Sequence, residues 1–324
     1  MKTFEEIFDH RPNVVADSPG RVNLLGEHTD YNDGFVLPIA TAQRTRVALR
    51  RRQTHGRKSF VLYATAFDRG VEFSLAEPPT EHFVSYIYGC LRAAQGDGVI
   101  VPPLEIHVDS DVPIGVELSS SAAPEVTTLR AQRDLLGLTL SDMRIAQLAQ
   151  RAEIDYAGVA CGIMDQMAAS LAGTTQALFL DTRTLASRLV ALPTDSAILV
   201  LDSGIKRSLA KRGHNDRRGE CEAAAQRLGV SALRDAADWP AIESLSDPLN
   251  RRAPHVVREN ARVFSALEAP DGGSFGALLN ASHASLRDDF VEVFQNSGAF
   301  LPFAVPCRES YFSPGPQFTS AYPG

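Results

Sequence analysis

The chain has 324 residues, 44% hydrophobic and 22% charged, an ordinary globular composition with room for one large domain or two packed lobes. Its formal net charge of −7, with both signs interspersed, speaks against a phosphate-backbone-binding face and so against nucleic acid as a partner. There is no apolar run near the ~20 residues that span a bilayer and no apolar core in the N-terminal MKTFEEIFDHRP, so neither a membrane span nor a secretory signal is expected. Cys90, Cys161, Cys221 and Cys307 have no CxxC spacing, which predicts no structural zinc or disulfide framework and a reducing, cytoplasmic setting.

In chain order, the first informative stretch is SPGRVNLLGEHTDYNDG, Ser18 to Gly34. Pro19-Gly20 reads as a turn, Arg21 to Leu25 as a short mixed run, and Asn32-Asp33-Gly34 as a second turn. Residues 35–65 alternate apolar and polar side chains and are rich in β-branched ones, which predicts strands, with another at 103–109. A helix is expected from Ser119 to Leu136, closed by Gly137 as C-cap. The next runs from 141 to about 157, with Ser141 as N-cap and Ile145, Leu148, Ala149 and Ala152 on one face. A third covers 162–172. Strands follow at 176–182 and 195–203, and amphipathic helices at 216–228 and 253–268. The pattern is mixed α+β without an internal repeat. From Val291 the character changes: seven aromatics, five prolines and a single Arg fall within the last 34 residues, with no helical or strand period.

Three segments carry chemistry. In the first, Glu27, His28 and Asp30 lie within four residues on one loop. A sugar presents adjacent hydroxyls that both donate and accept, and carboxylates converging with an imidazole can read them; the same residues also suit a solvated turn. One His and two acids on a loop do not close a metal shell. The second segment is DVPIGVELSSSAAPEV, Asp111 to Val126, where a strand end, a Gly turn and three serines lead into a helix. The unsatisfied N–H groups and dipole of such a helix start favour a phosphate, and a serine hydroxyl can ligate Mg2+. Serines are equally common as plain N-caps. The third is CGIMDQMAASLAG, Cys161 to Gly173, with Asp165 alone among apolar and small residues. A buried Asp wants a partner. It reads either as a general base or anchor paired with a cation such as Arg21, or as a capping Asp.

Together these segments are specific. GRVNLLGEHTDY closely resembles the galactokinase signature, and the Gly/Ser segment resembles the phosphate-binding motif of the wider GHMP small-molecule kinase family. CGIMDQ, LFLDTRTL, NDRRGECEAA, HVVREN and NASHASLRDDF are also galactokinase-like and occur in the family's order, so the resemblance covers roughly Asp9 to Phe290. It implies a two-lobed α+β fold and transfer of phosphate from MgATP to galactose, giving galactose 1-phosphate. By motif, Glu27, His28 and Asp30 would bind sugar hydroxyls with help from the Gly162 backbone. Asp165 would be the base, and Arg21 would hold it ionised and steady developing charge. Gly115, Ser119, Ser120 and Ser121 would line the phosphate site, Ser120 and Glu153 would take Mg2+, and Phe83 would lie by adenine. Oligomeric state is not legible in the chain.

The departures from the family pattern matter too. The second Gly of Gly-x-Gly-Leu-Ser-Ser-Ser is Glu117 here, which places a like charge beside the triphosphate. Two unit charges 4 Å apart repel by ~4 kcal/mol at an effective dielectric of ~20. Pro124 replaces an aliphatic residue and His214 a sugar-contacting Tyr. The Gly-rich third motif that resembles TGAGFGG is missing. The expected organisation is therefore an N-terminal lobe over 1–180, a partial C-terminal lobe over 181–290 and an atypical tail over 291–324, as in a truncated or frame-shifted galactokinase. Impaired catalysis is expected. The alternatives are a non-catalytic galactose- or ATP-binding sensor and a kinase for a related sugar.

Overall fold

The computed structural model describes residues 2–53, 59–115, 118–201, 210–290, 305–306 and 318–321. Strands there are β1 (Val14–Asn23), β2 (Phe35–Val36), β3 (Pro38–Arg51), β4 (Ser59–Ala64), β5 (Arg69–Ser74), β6 (Leu104–Ser110), β7 (Gln176–Asp181), β8 (Ser187–Ala191), β9 (Ser196–Leu201), β10 (Val305–Pro306) and β11 (Phe318–Ala321). Helices are α1 (Phe4–Phe8), α2 (His82–Gly96), α3 (Ala122–Leu136), α4 (Asp142–Ala152), α5 (Met164–Leu171), α6 (Ala210–Leu228), α7 (Trp239–Glu243), α8 (Leu249–Leu267) and α9 (Gly272–Asp288). Among the described residues, no helix is long and apolar enough to cross a membrane.

Two compact units share the chain in an interleaved way: Met1–Arg21 with Thr41–Leu171, and Val22–Ala40 with Ala172–Gly324. This differs from the expected contiguous lobe over 1–180. The cause is strand pairing, since β2 forms its ladder with β7 (Phe35 opposite Asp181, Val36 opposite Leu180) and so draws residues 22–40 into the second unit.

The first unit holds a five-stranded sheet in the order β1-β3-β6-β4-β5. β4 shows why these residues form strands: Phe60, Leu62 and Ala64 alternate inward at period two. Phe60 and Leu62, with Val47, Leu49 and Ile106, meet Ile87 and Leu91 of α2, Leu129 of α3 and Leu148 of α4 in one buried core. Pro19-Gly20, expected as a turn, lies inside β1 instead. The strand is an edge strand, where a residue without an N–H costs no ladder bond. Gly20 is required by space, because a Cβ there would lie 2.7 Å from the Leu118 carbonyl oxygen.

Helix boundaries largely follow their caps. Gly137 closes α3 in the left-handed region, and the Ser141 hydroxyl accepts the Arg144 amide at the start of α4. Pro124 is the third residue of α3, within the turn whose amides have no helical acceptor, so it breaks nothing. The helix expected to run to about 157 gives way after Ala152 to a single π turn, Glu153–Ala157.

The second unit contains the sheet β2-β7-β8, while β9 pairs with β10 and β11. Its helical part packs Cys221 of α6, Ile242 of α7, Val256 of α8 and Phe290 into a second core. Glu117 and, apart from β10 and β11, the tail after Phe290 lie outside the described residues.

Candidate functional site

The residues that carry chemistry fall into two groups, one in each unit. In the first unit, Arg21 sits in β1 and its amide donates to the Leu118 carbonyl, 3.2 Å away. Its guanidinium reaches Asp165 Oδ1 through Nη2 at 2.6 Å and Nε at 2.8 Å. The Ser119 hydroxyl donates to the other carboxylate oxygen, Asp165 Oδ2, at 2.8 Å. Asp165 is the second residue of α5, where the helix dipole favours negative charge. Both partners of the ion pair keep some exposure, so this carboxylate can meet a ligand. Ser119 takes φ 57, a left-handed conformation uncommon without glycine. The partnership inferred between Arg21 and Asp165 is thus present as a forked ion pair. Ser119 joins it directly.

Next to this pair lies a set of buried acids. Glu153, at the start of the π turn, accepts Gln166 Nε2 at 2.6 Å, the Cys161 thiol at 3.7 Å and the Ser121 hydroxyl. Burial, reinforced by the charge of Asp165, pushes its carboxyl up to about 7. Glu125, fully buried in the first turn of α3, shares the same Gln166 amide at 3.3 Å. Burial and then the Glu153 charge push it well above the usual carboxylate range. Glu125 Oε1 and Gln166 Oε1 are buried without a hydrogen-bond partner among the described residues. Sequence reasoning missed Glu125 and Gln166, though both stand inside the motifs quoted above. The available signal was an acid in the first turn after three serines, and an amide directly after Asp165.

The remaining first-unit residues are placed as follows. Gly115 takes φ 83 with open space around it, so backbone conformation rather than crowding calls for glycine. Ser120 is half-buried just before α3, and Gly162 is buried in the turn before α5. Phe83 opens α2 and packs against Phe67 with ring centroids 4.7 Å apart, making an aromatic pair of which Phe67 is half exposed. No three His, Cys, Asp or Glu side chains gather as a ready metal cage among the described residues.

In the second unit, the loop between β1 and β2 carries Glu27, His28 and Asp30, all half-buried. Asn23 Nδ2 donates to Glu27 Oε1 at 3.0 Å, and Asp30 Oδ1 accepts the Tyr31 amide at 3.1 Å. His28 has φ 63, and its Nδ1 lies 2.8 Å from the Tyr31 hydroxyl. The loop has little slack. A Cβ on Gly26 would sit 2.4 Å from the Phe35 carbonyl oxygen, and one on Gly34 would sit 2.4 Å from Asn260 Oδ1.

Helix α8 holds this loop through three polar side chains from HVVREN. Asn260 Oδ1 accepts the Phe35 amide at 2.8 Å, and Glu259 Oε1 accepts the Gly26 amide at 2.9 Å. His255 Nε2 lies 3.1 Å from the Glu27 carbonyl, which can only accept, so Nε2 carries the proton. Burial pushes His255 down to about 4, so the ring is neutral near pH 7; its Nδ1 lies 2.9 Å from Ser285 Oγ, whose hydroxyl donates to Asp289 Oδ2 at 2.8 Å. Glu259 also takes Ser282 Oγ at 2.7 Å and Arg262 Nε at 2.6 Å. Burial alone would raise Glu259; His255, Arg262 and these hydrogen bonds outweigh it, and its carboxyl lies below the usual range. In the sequence HVVREN carries the family resemblance without an assigned role. Its signal was polar residues at i and i+4 on a helix whose neighbours Val256 and Val263 are buried. His214 lies within α6, and its side chain is outside the described residues.

Comparison with known proteins gives consistent matches. Residues 2–51 match the galactokinase galactose-binding signature, and residues 85–173 match the N-terminal domain of GHMP kinases. A galactokinase of Roseiflexus sp. (strain RS-1) is 42% identical over 300 residues, covering 89% of this chain and 76% of the relative. The crystal structure of Lactococcus lactis galactokinase complexed with galactose superposes with a TM-score of 0.81 at 32% identity, covering 89% of this chain and 78% of that one. Methanococcus jannaschii mevalonate kinase shares the fold, with a TM-score of 0.62 at 16% identity, over 86% of this chain and 80% of that one.

Proposed function

Because the chain belongs to the galactokinase family of GHMP kinases, we infer that it transfers the terminal phosphoryl group of ATP to the C1 hydroxyl of D-galactose. The observation that carries this reading is Asp165, with Arg21 on one carboxylate oxygen and Ser119 on the other. Phosphoryl transfer asks a protein for positioning and charge neutralisation more than for covalent chemistry. Asp165 is the base for the sugar hydroxyl, and Arg21 fixes its carboxylate and offsets charge that develops during transfer. Glu27, His28 and Asp30 bind sugar hydroxyls, joined by the Gly162 backbone and His214. Gly115, Ser119, Ser120 and Ser121 take the ATP phosphates at the start of α3, and Phe83, with Phe67, takes the adenine.

Mg2+ fits the donors present. Glu153 is buried beside two further acids, and Ser120 and Ser121 add hydroxyl oxygens, a hard oxygen set. We assign the ion to Ser120 and Glu153; when bound it supplies neutralisation of the phosphate charge.

A coupled assay of ADP release over a panel of sugars tests the reading. Galactose-dependent turnover, abolished in Asp165→Asn, is expected. Galactose binding by calorimetry without turnover would instead make the chain a non-catalytic binding protein, and turnover confined to another sugar would move the substrate. Replacing Glu117 by Gly removes a like charge from the phosphate motif. It is expected to lower the KM for ATP by about tenfold, a fraction of the unscreened repulsion.

A further inference from the structure

Phe290 is the last residue of the galactokinase-like stretch, and it is fully buried. Its ring stacks on the imidazole of His28, with centroids 4.3 Å apart and planes 17° from parallel. The ring is itself held firmly. Phe290 N donates to the Ser285 carbonyl at 3.0 Å, Arg252 Nη1 donates to the Phe290 carbonyl, and the Arg252 guanidinium lies 4.9 Å from the ring centroid. Arg252 is fixed in turn by Glu220 at 2.6 Å. His255, which bonds the Glu27 carbonyl, also touches the same ring at 4.7 Å.

His28 needs such support. Its backbone is in the left-handed region, which a non-glycine residue keeps only when its surroundings impose it. Tyr31 anchors one edge of the imidazole at Nδ1. A flat aromatic partner on one face holds the plane of the ring. The geometry points to Phe290 as a positioning residue for galactose recognition: it fixes the plane of the His28 imidazole while being too deeply buried to meet the sugar itself. The inference rests on the reading of His28 as a sugar-binding residue.

The test uses the full chain and the variants Phe290→Leu, Phe290→Tyr and His28→Asn. Each is measured for galactose KM, ATP KM, kcat and melting temperature, and the His28 ring protons are observed by NMR. In the unsubstituted chain those protons are expected upfield, shifted by the stacked ring. Phe290→Leu is expected to move them downfield and raise the galactose KM by about three- to tenfold, the range that the loss of one aromatic pair allows. The KM for ATP and kcat should change little, and Phe290→Tyr should restore the galactose KM. A merely structural role would lower the melting temperature without this split. The inference is overturned if the unsubstituted chain lacks the upfield signal, or if Phe290→Leu leaves galactose KM unchanged while His28→Asn raises it. If His28→Asn itself leaves galactose KM unchanged, the sugar-binding reading of His28 fails, and the inference falls with it. Should Phe290→Leu not fold, Phe290→Met keeps the volume and removes the ring.

Discussion

Buried glutamates occur in both units, and they have opposite fates. Glu259 in the second unit takes a backbone amide, a serine hydroxyl and an arginine, and its carboxyl lies below the ordinary range. Glu125 and Glu153 in the first unit share one glutamine amide and face one another and Asp165, and both are pushed up. Desolvation acts on all three; what differs is the charge beside them, since Glu259 has the Arg262 guanidinium whereas Glu125 and Glu153 have acids. A buried acid paired with a cation is a fastener, here fixing the loop of Glu27, His28 and Asp30. A buried acid crowded by other acids stores a demand for positive charge.

The contrast can be broken by substitution. The largest effect is expected for Asp165→Asn, with kcat down by about a thousandfold and the melting temperature nearly unchanged, as measured by ADP release and calorimetry. A collapse of stability with kcat preserved would make Asp165 a fastener after all. Glu259→Gln should behave the other way, losing about 3 kcal/mol in denaturant unfolding because Arg262 and the loop amide lose their charged partner.

The pH dependence of stability sharpens the same point through His255. Its pKa falls from the ordinary 6.5 to about 4 on burial, so between those values the unfolded chain takes up a proton that the fold refuses. Stability is therefore complete above about pH 6.5 and is lost as the pH falls toward 4, by about 3 kcal/mol from this group. Melting curves across that window should show the slope, and His255→Gln should flatten it. The smallest effect is expected for Glu125→Gln. Burial and then the Glu153 charge push the Glu125 carboxyl up, toward its uncharged form, and glutamine is the uncharged isostere, so unfolding free energy near pH 7 should change by less than ~1 kcal/mol. A loss as large as that of Glu259→Gln would erase the distinction.

Much of this was legible in the chain, for reasons that vary by element. Gly137 and Ser141 announce helix ends because cap chemistry is local, and β4 announces itself by alternation. The pairing of Arg21 with Asp165 followed from asking what an acid among apolar residues must have. Pro19-Gly20 misled because a turn and an edge strand use the same dipeptide, and only the position of β1 in the sheet tells them apart. The interleaved units escaped notice because the two-residue β2 has no period to read, and its partner β7 lies over a hundred residues away. Glu125, Gln166 and the α8 residues were missed as functional because burial, which turns an ordinary Glu into a charged demand or a fastener, is a property of the assembled core.

The fastening of the loop by α8 also has a consequence in time. Gly26, Glu27 and Phe35 find their partners at Glu259, His255 and Asn260, separated along the chain by 233, 228 and 225 residues. At the ~5–20 residues per second of protein synthesis, the loop leaves the ribosome roughly ten to fifty seconds before its supports exist. Until then those backbone groups have water as their partner, and nothing from α8 holds His28 near its strained conformation. A nascent chain should therefore acquire its affinity for galactose late and abruptly, once α8 and the stretch through Phe290 have emerged.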